Sequence, residues 1–135
     1  MSSHRDLPQH LPSEIAIDAL RWHADGLLPV IAHDCRTGEV LMFAYANRAA
    51  LEHTRRTAWA TYWSRSRRAL WLKGETSGNR QRVVGIRVDC DGDCLLYQVQ
   101  ADGPACHTGR RSCFSWQLLA DGSVVCDLPI MEQPA

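Results

Sequence analysis

The sequence predicts an α+β fold, predominantly antiparallel β with two short helices, in one compact domain. Three observations carry this. Short apolar runs, several alternating with period two, recur along the chain between Gly, Asp and Pro punctuation. Only two stretches place a capping residue ahead of a helical segment. A length of 135 residues with 45% hydrophobic and 22% charged content suits a single domain with its own core.

Residues 1–10 are mostly polar and contain Pro8, so a disordered N-terminus is expected there, a domain over 11–128, and a loose tail over 129–135. Ser13 can cap a first helix whose apolar face is Ile15, Ala16, Ala19 and Leu20, stopping near Gly26. Residues 28–31 and 40–45 are apolar runs around Thr37-Gly38 and read as a hairpin. Asn47 can cap a second helix running to about Arg56, with Leu51 its main apolar contact. Residues 58–63 and 70–73 read as strands joined by a basic turn. Val84, Ile86 and Val88 alternate with Gly85 and Arg87, which predicts a half-buried strand, and Leu95, Tyr97 and Val99 predict another. Phe114, Trp116 and Leu118 lead into Asp121-Gly122, a two-residue hairpin turn, and then residues 123–128.

Composition excludes some functions. Formal net charge is zero, so no global field favours nucleic acid. No apolar run approaches a membrane span, so no membrane partner is expected. Six cysteines without an export signal predict reduced thiols and a cytoplasmic protein.

The chemistry concentrates between Asp89 and Phe114. Asp89-Cys90-Asp91-Gly92-Asp93-Cys94 is followed by Gly103-Pro104-Ala105-Cys106-His107-Thr108-Gly109 and Arg110-Arg111-Ser112-Cys113-Phe114. Thiolates select zinc-like ions and carboxylates magnesium-like ions, so two kinds of metal are expected. Cys90, Cys106 and Cys113 are three candidate thiolates without Cys-x-x-Cys pairing. Three ligands and an open position define a zinc site that acidifies water. Cys35, Cys94 and Cys126 read as small buried hydrophobes. Asp89, Asp91 and Asp93 repel one another in one turn, and a cation relieves that repulsion. Gly92 stands fourth in this stretch and Gln100 twelfth, which excludes a calcium-sensor loop. His107 is a ligand, a proton shuttle or a packed loop residue, with the shuttle favoured.

A second constellation, Ser64-Arg65-Ser66-Arg67-Arg68 followed by Trp71, Lys73, Glu75, Ser77 and Asn79, combines hydroxyls, forked cations and glycines suited to phosphate. Thiolates and aspartates leave each metal site with residual negative charge, so these cations are the supply for a phosphorylated substrate.

With these motifs in view, the chain resembles the phosphoribosyl-AMP cyclohydrolases of histidine biosynthesis. The carrying segments are residues 37–42, 62–67, 71–79, 89–93 and 103–114, and the likeness covers roughly 26–114 in order. It implies zinc on Cys90, Cys106 and Cys113 and magnesium on Asp89, Asp91 and Asp93. It implies an intertwined homodimer whose zinc sites draw cysteines from both chains. The substrate residues it implies are Ser64, Arg65, Ser66, Arg67, Trp71, Lys73, Glu75, Ser77 and Asn79. The implied reaction opens the adenine ring of N1-(5-phosphoribosyl)-AMP between N1 and C6, with His107 catalytic. The family often has glutamine where His33 stands and no cysteine where Cys94 stands. Some relatives carry a fused pyrophosphohydrolase; a monofunctional chain is expected here. The His-x-Glu and Pro-Cys-x-x-Cys signature of zinc deaminases is absent. The alternative class is a small zinc-stabilised binding module, with a closed four-ligand zinc and no use for the aspartates.

Overall fold

A computed structural model describes residues 14–131. Its frame is a six-stranded mixed sheet in the order β4-β3-β2-β1-β6-β5. The strands are β1 (Leu28–Asp34), β2 (Val40–Ala46), β3 (Thr61–Ser64), β4 (Ala69–Leu72), β5 (Gln81–Val88) and β6 (Leu95–Ala101). All neighbours run antiparallel except one pair, where β1 lies parallel to β6. The sheet curls until β5 meets the lead-in to β3: Trp59 bridges Arg82, and Val83 N–H donates to the Ala58 carbonyl at 2.7 Å. A separate hairpin, β7 (Trp116–Leu118) with β8 (Val124–Cys126), follows.

The core lies on one face. Leu28, Val30 and Ala32 alternate inward along β1, and Leu95, Tyr97 and Val99 along β6; all are at most 1% exposed. Each such aliphatic or aromatic burial stabilises by about 1.5–3 kcal/mol. The helix α1 (Arg48–Thr57) covers this face through Ala50, Leu51 and Thr54. Asn47 caps it as expected, its Oδ1 accepting from Ala50 N–H at 2.8 Å. Thr54 Oγ1 accepts from Thr61 N–H at 3.0 Å and ties the helix to β3.

Four expectations need correction. The first helix does not form: among the described residues only a 3-10 turn, Ile17–Ala19, is present, and Ser13 lies outside them. One tertiary bond and one local side-chain bond take groups a helix would use. Arg21 N–H donates to the Gly92 carbonyl at 2.7 Å, and Trp22 Nε1 donates to the Ile17 carbonyl at 3.2 Å. In β5, Val84 is 51% and Val88 40% exposed while Val83 is buried, because a bulge at Val84 resets the alternation. The β7–β8 connection is longer than two residues: Leu119 N–H pairs with the Ser123 carbonyl, and Gly122 takes φ +89°. Cys126 is exposed, and Cys35 and Cys94 are half-buried. Residues 1–10 lie outside the described residues. Of the expected loose tail, Ile130 bridges Arg110 and Met131 N–H donates to the Gly109 carbonyl at 2.8 Å.

One buried polar relay crosses the core. Tyr62, fully buried, donates from Oη to Gln81 Oε1 at 2.8 Å, and Gln81 Nε2 donates to Met42 Sδ at 3.3 Å. Tyr62→Phe leaves the Gln81 acceptor unpaired in the interior, and the expected cost is about 1–3 kcal/mol. A lower urea midpoint with an unchanged m value checks this.

Candidate active site

Two chemically distinct loops hang from opposite ends of β6. The acidic turn, 89–94, joins β5 to the start of β6. The thiol loop, 102–113, leaves its other end. Seven residues at roughly 3.3 Å each put the two ends about 20 Å apart.

The acidic turn is built by backbone pairing. Asp89 N–H donates to the Cys94 carbonyl at 2.9 Å and Gly92 N–H to the Asp89 carbonyl at 2.8 Å. Gly92 takes φ +74°, which explains the glycine in the middle of the aspartates. Arg21 anchors the turn a second time, its Nε donating to the Asp91 carbonyl at 2.9 Å. Ligand atoms of Asp89, Cys90 and Asp91 all lie within 4.8 Å of one another, the one such trio among the described residues. Asp93 falls outside it. The Asp91 N–H holds the Asp89 carboxyl below its usual value, assisted by a hydrogen bond from Cys90. That bond, with the charges of Asp91 and Asp89, raises the Cys90 thiol.

At the other end, Cys113 is stitched to the start of β2. Its N–H donates to the Leu41 carbonyl at 2.7 Å, and Ser112 Oγ donates to the Val40 carbonyl at 2.7 Å. Ala105 and Cys106 pair across the loop with Arg111 and Arg110 at 3.1 Å each. The two thiols lie near enough for each to shift the other's titration. Burial works to raise the Cys106 thiol, but the Thr108 hydroxyl, donating at 3.0 Å, the Thr108 backbone, Cys113 and Arg110 bring it below its ordinary value. Cys113 is exposed as a residue, yet the atoms packed round its sulfur, with the charge and hydrogen bond of Cys106, push its thiol up to about 11 against the pull of Lys73.

A cleft of about 340 Å³ opens beside the thiols, lined by Arg67, Trp71, Lys73, Glu75, Ser77 and Asn79 together with Cys106 and His107. Asn79 is held between two glycines. A Cβ on Gly103 would stand 2.5 Å from its Oδ1, and one on Gly74 would meet its backbone. Six of the nine expected substrate residues therefore share one cleft. Ser64, Arg65 and Ser66 do not line it. Ser64 Oγ accepts from Arg67 N–H at 3.2 Å and shapes the turn, with the Ser66 hydroxyl 3.4 Å away. Arg65 stacks 4.1 Å over the Tyr45 ring and lines a separate cleft with Asp25, Asn47 and Arg68. Sequence reasoning missed Arg21 and Thr108. Thr108 carried a signal, a hydroxyl two residues beyond a candidate ligand; Arg21, far from the motif in sequence, carried none.

The cyclohydrolase family model, described as phosphoribosyl-AMP cyclohydrolase, matches residues 42–115. The chain belongs to the phosphoribosyl-AMP cyclohydrolase family. It is 56% identical over 127 residues to the phosphoribosyl-AMP cyclohydrolase of Alkalilimnicola ehrlichii, covering 94% of this chain and 85% of the relative. It is 52% identical over 119 residues to that of Azoarcus sp., covering 87% and 91%. It is also 58% identical over 103 residues to the histidine biosynthesis bifunctional protein of Thermus thermophilus, covering 76% of this chain and 48% of that one. Among the described residues, no helix is long and apolar enough to cross a membrane.

The donors fit the two cations the family implies. Two thiols that influence each other in one loop suit a zinc-like ion, and the carboxylates of Asp89 and Asp91 suit a magnesium-like one. In metal-free protein the thiolate is the nucleophile, so iodoacetamide at pH 8 is expected to alkylate Cys106 before Cys90, Cys94 and Cys113. Peptide mass spectrometry over a time course reads the order.

Proposed function

We propose that this cleft hydrolyses the adenine ring of N1-(5-phosphoribosyl)-AMP in histidine biosynthesis. The observation that carries the reading is one cleft bringing Cys106 and His107 together with Arg67, Trp71, Ser77 and Asn79. Water adds its oxygen to C6, the N1–C6 bond breaks, C6 becomes a carboxamide carbon and a proton returns to N1. Cys106 and Cys113, with a third cysteine, would hold zinc, which when bound would supply a water acidified towards neutral pH. Trp71 offers a face for the base. Arg67, with the hydroxyl of Ser77 and the amide of Asn79, is suited to a phosphate. His107 is exposed on the cleft wall, where it can accept the proton released from water and return it to N1. Asp89, Asp91 and Asp93 would hold magnesium.

The zinc site draws on two chains. Cys90 and Cys106 lie on loops that leave opposite ends of β6, and among the described residues the ligand atoms of Cys90, Cys106 and Cys113 do not all come within 4.8 Å of one another. A partner in a symmetric homodimer can bring its acidic turn to this chain's thiols. The β7–β8 hairpin supports such a partner: Trp116 is 64% and Leu118 71% exposed, with Phe114, Val124 and Ile130 exposed beside them. An apolar hairpin of this kind has too little cover of its own.

Purified protein is expected to convert phosphoribosyl-AMP and to lose that activity when zinc is removed by chelator and regain it on zinc addition. Conversion unaffected by metal removal would contradict the zinc reading. Cys90→Ser and Cys106→Ser proteins are each expected to be inactive. Refolded together at equal concentration, they are expected to recover about a quarter of wild-type activity, because half the dimers are mixed and each mixed dimer carries one intact site. Recovery of nothing after efficient refolding would place all three cysteines of a site on one chain.

A further inference from the structure

Lys73 sits where a charge is costly. It is 8% exposed, directly after β4, with its N–H donating to the Ala60 carbonyl at 3.0 Å. Its Nζ donates to the Ala105 carbonyl at 2.5 Å and lies 5.4 Å from the centre of the Trp71 ring. Among the described residues, no carboxylate pairs with it. The anionic groups it faces are the thiols of Cys113 and Cys106. A buried ammonium needs compensating negative charge, and here only that pair supplies it.

The two cysteines are anchored differently. Cys113 is fixed by backbone pairing to Leu41 and by the Ser112 hydroxyl. Cys106 pairs within its own loop, with Arg110, and the carbonyl of Ala105 before it is held by the side chain of Lys73. Arg67, on the same cleft, remains as a cation with its guanidinium available to the substrate.

We propose that Lys73 is a positioning residue for the thiolate pair: its ammonium fixes the Ala105 carbonyl, and so Cys106, and offsets the charge of Cys106 and Cys113 on their cation, rather than binding substrate phosphate. The inference rests on the zinc reading above. It assigns this buried lysine to the metal site, leaving substrate charge to the arginines.

The test compares wild type with Lys73→Met, Lys73→Gln and Lys73→Arg, with Cys106→Ser as reference. Zinc retention is measured against a competing chelator, and kinetics are measured at saturating zinc. Lys73→Met is expected to release zinc at about tenfold lower chelator concentration or less, the usual scale for a residue supporting a ligand. Its kcat is expected to fall while KM stays within about twofold, since no ground-state contact with substrate is lost. Lys73→Gln keeps a donor without charge and is expected to fall between Met and wild type. Lys73→Arg restores the charge and is expected to recover zinc retention. Normal zinc retention in Lys73→Met, with KM raised about tenfold and kcat unchanged, would make Lys73 a phosphate ligand and overturn the inference. If Lys73→Met does not fold, the same two measurements on Lys73→Gln decide in the same sense. Full zinc content in Cys106→Ser would instead overturn the zinc reading itself, whatever the lysine variants do.

Discussion

Leu95, Tyr97 and Val99 of β6 are buried between β1 and β5, and both chemically active loops hang from the ends of that strand. The strand cannot shorten without losing its pairing to both neighbours. The distance between the acidic turn and the thiol loop is therefore fixed by the core, not by the loops. The loops in turn are fixed to the sheet by backbone bonds: Asp89 to Cys94 at one end, Cys113 to Leu41 at the other. A rigid separation of soft and hard donors is a defect in a monomer and an opportunity in a pair of chains, where one end of each strand can meet the opposite end of the other.

Electrostatics at the thiol end points the same way. The Cys106 thiol lies below its ordinary value and the Cys113 thiol is pushed up to about 11, each affected by the other. Thr108 and Arg110 favour the charged form of Cys106, and the Lys73 ammonium lies beneath the pair. Removing both protons leaves two negative charges near one lysine, a balance that a divalent cation completes. At the acidic end Arg21 holds the backbone, its Nε donating to the Asp91 carbonyl. That turn is stable as backbone and gathers the carboxylates of Asp89 and Asp91 within 4.8 Å of each other, a donor set that suits a hard cation.

Much of this was legible in the chain because it depends on local pattern. Asn47 announced α1 by its capping chemistry, and Leu95, Tyr97 and Val99 announced β6 by period two. The failures were tertiary. The amphipathic stretch expected to run from Ser13 towards Gly26 gives only a 3-10 turn among the described residues, and its Arg21 N–H is taken by the distant Gly92 carbonyl, a partner its own sequence does not name. The bulge at Val84 inverted an apolar pattern that read equally well on either face. Ligand types at the site were readable from composition, and the cleft gathers Arg67, Trp71 and Lys73 with Cys106 and His107. Their grouping was not readable: Arg65 and Arg67 differ by two positions and line different clefts, and Cys90 groups with Asp89 and Asp91 rather than with Cys106 and Cys113.

The central claim is a zinc ion held between two chains by sulfur from opposite ends of β6. Diffraction from zinc-loaded crystals, with anomalous data at the zinc edge, tests it most directly. The account predicts three sulfurs at about 2.3 Å: Cys106 and Cys113 of one protomer, and Cys90 of the partner subunit. A zinc whose sulfur ligands all belong to one chain, or one from which Cys90 is absent, would contradict it.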